Sequence, residues 1–147
     1  MYVRHFFLAL VVAVSASFTY AASPISTTWF GNLAVEGYDP VGYFTVGKAV
    51  KGSKKFQMEW MGAKWRFSSA ENMALFQQEP EKYAPQYGGY CAWAMAKGQT
   101  AGIDPQQFSI VDDKLYLNFN KSIQGKWTEN RDELIRLADE EWPELID

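Results

Sequence analysis

Between Phe56 and Phe67 the apolar and polar side chains alternate. Phe56, Met58 and Trp60 stand against Gln57 and Glu59, and after Gly62-Ala63 the rhythm resumes in Trp65 and Phe67 against Lys64 and Arg66. A period of two puts the aromatic set on one face of a strand pair, so the stretch predicts a hairpin turning at Gly62-Ala63. The run "FSIVDDKLYLNF", ending at Phe119, predicts a second hairpin with Asp112-Asp113 at its tip and Leu115, Leu117 and Phe119 on one face. Elsewhere the spacing lengthens to that of helices. Ser68 followed three residues later by Glu71 reads as a capping box for a helix through Met73 and Phe76, closed by Pro80. Asn120 predicts the cap of a short helix through Ile123 and Trp127. Asn130 with Glu133 opens a last amphipathic helix whose apolar stripe is Leu134, Ile135, Ala138 and Trp142. Gly88-Gly89 predict a tight turn that sets Tyr90 and Cys91 at the start of a new segment. With no internal repeat or linker, the expected architecture is one α+β domain of two β-hairpins and three or four short helices, aromatic-rich in its core.

The amino-terminal residues change the picture of where that domain works. Arg4 and His5 precede the apolar run "FFLALVVAVSASF", which is short for a membrane span, and "TYA" and "YAA" then offer small residues to a signal peptidase. The expectation is a signal peptide over 1–22, cut after Ala21 or Ala22, then a flexible lead over 23–33 and the domain over 34–147. Such a chain is periplasmic or secreted and meets the membrane only for export. The 125 residues left suffice for one core without staples. Losing Arg4 leaves 13 basic against 17 acidic residues, a net charge of −4 with the acid gathered near the carboxyl terminus. This balance gives no electrostatic footprint for nucleic acid.

Two scarcities narrow the chemistry. The one histidine, His5, departs with the leader, and Cys91 is the one cysteine of the chain. No Ser-His or Cys-His pair and no histidine-based zinc site is available, and no internal disulfide can form. No catalytic residue is assigned. In "CAWAM", Cys91 and Met95 are four apart, so on a helix both sulfurs share a face and suit a soft ion such as Cu(I), with Met58, Met61 or Met73 as a third donor. Their bland alternative is core packing. Tyr43, Tyr87, Tyr90 and Trp93, with Tyr38 and Tyr83 nearby in sequence, are candidates to line a pocket that offers hydroxyls above an apolar floor for a small ligand. Their alternative is cover for a small core.

The order "DPVG" at 39–42, "WRF" at 65–67, "FSSAEN" at 67–72, then Phe76, Pro80 and Tyr83, resembles the YHS domain family, small modules related to treble-clef metal-binding domains. The longer arrangement with "PEKYAPQYGGYC" and a second hairpin looks like that family's secreted bacterial branch. The resemblance implies a treble-clef-like core in which three positions carry cysteine ligands, and here those positions hold Gly42, Ser68 and Asn72. Glycine offers no side-chain ligand and a serine hydroxyl is a weak one, so the family's metal site does not carry over. The functional expectation is an exported, non-enzymatic binding module for a soft metal ion, copper among them, or a small molecule near Cys91. Its rivals are a metal-free interaction domain docking to another envelope protein and a thiol-dependent redox protein. The last lacks an activating histidine and a resolving cysteine.

Overall fold

The computed structural model describes residues 20–146, so the expected leader falls almost wholly outside the described residues. The first hairpin pairs β1 (Ser53–Trp60) with β2 (Ala63–Phe67) in the register Met58↔Trp65 and Trp60↔Ala63, with an irregularity between Ser53 and Gln57. Its turn is Met61-Gly62, both at positive φ, which matches the twist of the strands. Ala63, expected in the turn, is already a buried strand residue. The second hairpin, β3 (Phe108–Val111) with β4 (Lys114–Leu117), turns at Asp112-Asp113 as expected, again with both at positive φ. Leu115 and Leu117 are buried, but so is Tyr116 on the opposite face, and Phe119 lies beyond the strand and exposed.

Six helices are present among the described residues: α1 (Gly42–Thr45), α2 (Ala70–Gln78), α3 (Pro80–Tyr83), α4 (Ala92–Met95), α5 (Lys121–Glu129) and α6 (Arg131–Ile146). α1, α3 and α4 are single turns, too short to show a helical period in sequence, which is why the count exceeds three or four. Asn120 caps α5 as expected, its Oδ1 accepting from Ile123 N at 2.8 Å. Among the described residues no helix is long and apolar enough to cross a membrane.

Two apolar clusters hold these elements. The first packs the β1–β2 hairpin on α2: Phe76 meets Trp60, Trp65 and Phe67 at ring-centroid distances of 5.5, 4.9 and 5.2 Å. The second gathers Tyr87, Met95, Tyr116, Trp127, Leu134 and Ala138 between the β3–β4 hairpin and α4–α6. The segment 23–33, expected as a flexible lead, is docked. Ile25 is buried in the first cluster, Ser26 N donates to Gly88 O at 2.9 Å, and Lys64 N donates to Asn32 O at 2.9 Å. The buried Ile25 side chain and these backbone bonds together tie it down.

Candidate functional site

The junction between β2 and α2 is where the pattern of donors departs most from the expected one. Ser69, not Ser68, is the N-cap of α2: it is extended (φ −152°, ψ 160°) and its Oγ accepts from Asn72 N at 3.1 Å. The capping-box reading was one residue out because Ser68 is engaged elsewhere. Its Oγ and its backbone N–H both donate to Asp39 Oδ2, at 2.7 and 2.8 Å. Asn72, one helical turn on, donates Nδ2 to the same oxygen at 2.8 Å. An ionised carboxylate only accepts, so the amide must present its nitrogen. Asp39 Oδ1 meanwhile accepts from Val41 N at 2.9 Å and Gly42 N at 3.2 Å. That local half is the turn bonding expected of Asp before Pro.

Five donors thus converge on one carboxylate that is 0% exposed. A buried charge without a cation is costly unless its acceptor sites are filled. Here they are, and the positive end of the α2 dipole lies alongside. Gly42, Ser68 and Asn72, which the YHS resemblance aligns with cysteine, all direct donors at Asp39. The residues present do not fit a metal ion: the side chains are donors already spent, and both carboxylate oxygens are occupied. Among the described residues no group of three or more His, Cys, Asp or Glu side chains is placed to hold a metal.

The structure places the sequence candidates as follows. Cys91 is 1% exposed and is the N-cap of α4, its ψ of 119° non-helical while its carbonyl accepts from Met95 N at 3.0 Å, one turn on. Its thiol donates to Asn118 Oδ1 at 3.5 Å. Met95 is buried in the second cluster, whereas Met58 and Met73 pack on the first and Met61 is exposed, so no third thioether comes from them within that cluster. The tyrosines divide likewise. Tyr43 lies in the first cluster, its hydroxyl donating to Pro105 O at 2.8 Å. Tyr87 lies in the second, donating to Asp139 Oδ1 at 2.9 Å. Tyr90 is half-buried against Trp142, and Trp93 carries the Lys97 ammonium 4.4 Å above its ring. These four do not converge on one pocket. Tyr87 alone of them lines a hollow of about 190 Å³, with Ile25, Trp60, Met61 and Trp142.

Burial drives the phenols of Tyr43 and Tyr87 well above the ordinary range, aided at Tyr87 by its hydrogen bond to Asp139. Both remain protonated donors, a poor state for ligating iron or any metal.

Asn118 is a polar hub that the sequence did not single out. It is fully buried, its Oδ1 accepts from Trp93 N at 3.0 Å as well as from Cys91, and its Nδ2 donates to Gln124 Oε1 at 2.7 Å. It ties the lone thiol, α4 and α5 to the end of β4.

One surface stands out by the opposite property. Trp29 is 92% and Phe30 84% exposed, at the end of a loop closed by Thr28 N to Leu33 O at 3.0 Å. Asn32 Nδ2 fastens that loop to Gly62 O at 2.7 Å, beside Met61, which is 51% exposed. Two adjacent aromatics and a thioether are therefore held in water on a pinned loop and a tight hairpin turn.

The family model of the YHS domain matches residues 41–87, from the turn after Asp39 through α2 and α3 to Tyr87. Neither curated proteins nor solved structures give a significant match.

Proposed function

From the premise that residues 41–87 make up a YHS domain, we propose that this chain is an exported, non-enzymatic binding module. It has replaced a metal-held knuckle by the Asp39 carboxylate, and it engages an envelope protein through the Trp29–Phe30–Met61 tip. The observation that carries the reading is the near-complete exposure of Trp29 and Phe30 on a hydrogen-bonded loop. Isolated exposed apolar residues are ordinary, but adjacent exposed aromatics held in fixed geometry are the usual anchors of protein interfaces. Placing a photo-crosslinking residue at position 30 in the exported protein should give one dominant adduct of defined mass. The same residue at Lys121, exposed on α5, should not. Identical adducts from both positions would end the proposal, and so would transfer of the label to lipid alone. Trp29→Ala and Phe30→Ala should each change stability by no more than about 0.5 kcal/mol, since neither side chain is buried. Chemical denaturation measures that.

The rival reading places a soft ion at Cys91 and Met95. It requires the thiol to leave Asn118 and its buried setting. Titration of the folded protein with Cu(I) under reducing conditions is expected to show no stoichiometric uptake, and Cys91→Ser is expected to behave identically. Tight one-to-one binding that the serine variant loses would reinstate the metal.

A further inference from the structure

The two small-residue sites that follow the apolar leader are not equivalent. A cut after Ala21 places Thr19 and Ala21 at the positions a signal peptidase reads, whereas a cut after Ala22 places the Tyr20 ring at one of them. In the folded chain Tyr20 and Ala21 are exposed, and Ala22 N donates to Leu145 O at 2.7 Å. From there the chain runs as a strap across residues 86–89. Pro24 passes so close to Gly88 that a Cβ there would lie 2.0 Å from Pro24 O, and Ser26 N completes the docking on Gly88 O.

Leu145 O belongs to the last turn of α6, where four carbonyls have no intrahelical partner and the macrodipole is negative. A cation is favoured there, yet the last turn of α6 contains no basic residue. Arg136, in the middle of the helix, is held by Glu133 at 2.8 Å and Glu140 at 2.6 Å. Glu141 lies against Gly98, and Glu144 adds further negative charge to the same end. Among the described residues the last turn of α6 thus carries no basic side chain of its own, and the atom bonded to it is the nitrogen that processing would free.

We propose that cleavage after Ala21 supplies this charge, so that the new amino terminus becomes the C-terminal cap of α6. Water adds across the Ala21–Ala22 peptide bond. The leader departs with the new carboxylate, and the amine of Ala22 takes up a proton. The resulting ammonium keeps the hydrogen bond to Leu145 O and adds a full charge to it, locking the strap and the last turn of α6 together only in the processed chain. This rests on the export reading above, and the experiment separates the two.

Intact mass of the exported protein fixes its first residue, and Ala22 is expected. The mature protein beginning at Ala22 is then compared at low ionic strength with the same chain acetylated only at its α-amino group, which retains the N–H donor but not the charge. The free amine is expected to raise Tm by about 1–4 °C and to slow amide exchange in residues 144–146. An exported protein that starts elsewhere, or keeps its leader, overturns the processing site. A chain that starts at Ala22 but shows equal Tm and equal exchange with and without the acetyl group overturns the cap while leaving export intact.

Discussion

Replacing Asp39 by Asn is expected to cost about 3–5 kcal/mol of folding stability, a large share of the roughly 5–15 kcal/mol that holds a domain of this size. The carboxylate accepts from two backbone donors on one oxygen and from three donors on the other. An amide of the same shape has one accepting end. Whichever way it turns, its own NH₂ faces two or three buried donors that lose their acceptor, and each such loss costs about 1–3 kcal/mol. Ser68→Ala removes one donor and leaves the others satisfied, so about 1 kcal/mol is expected, and Asn72→Ala should cost a similar amount. Asn72→Asp should be worse than either, because it sets a second carboxylate within hydrogen-bond distance of the first. Urea midpoints at constant m-value measure the series. A chelator should move none of them, since among the described residues no group of three or more His, Cys, Asp or Glu side chains is placed to hold a metal. An Asp39→Asn protein within 1 kcal/mol of the parent would mean that the five contacts are incidental to the fold.

The same site shows what was legible in the chain and what was not. Ser68 and Asn72, four apart at a strand-to-helix junction, are visible as a pair facing one way, and the absence of cysteine at Gly42, Ser68 and Asn72 is visible too. What Ser68 and Asn72 bond to was not visible, because Asp39 reaches them across 29 and 33 residues and no local pattern encodes that approach. The hairpins were legible because alternation and positive-φ turns are local properties, although the first turn came one residue early. The cap of α2 was missed by one residue because serine occupies both 68 and 69, and only the partner of each hydroxyl tells them apart. At Cys91 the spacing was legible and the setting was not: Met95 N bonds the Cys91 carbonyl at 3.0 Å, one turn on, but the thiol is buried and bonded to Asn118, 27 residues away. The tyrosines could not be sorted from sequence at all, since Tyr43 and Tyr87 belong to different apolar clusters that only the tertiary fold separates.

Those tyrosines set the upper pH limit of the fold. Burial, with carboxylates nearby, raises Tyr43 and Tyr87 far above the phenol range and pushes Tyr116 up to about 12. In the unfolded chain all three titrate near about 10. Below that value both states hold the phenol protons and pH has no leverage. Above it the unfolded chain sheds protons that the folded chain retains, so stability falls as pH rises, by up to about 1.4 kcal/mol per pH unit for each phenol. Allowing for solvent that reaches the hydroxyls of Tyr87 and Tyr116, the three together are expected to remove about 2–3 kcal/mol per pH unit. About 4–6 kcal/mol is then gone by about pH 12, the value to which Tyr116 is pushed, a large share of the roughly 5–15 kcal/mol available. Tyrosinate absorbance followed beside far-ultraviolet circular dichroism should therefore show part of the phenol population ionising late, in one steep step coincident with unfolding. Tyr87→Phe should flatten the alkaline slope while costing some stability at neutral pH, because Asp139 loses its donor. A smooth titration of every tyrosine near pH 10 with native dichroism intact would show these phenols open to water, contradicting the burial on which both apolar clusters depend.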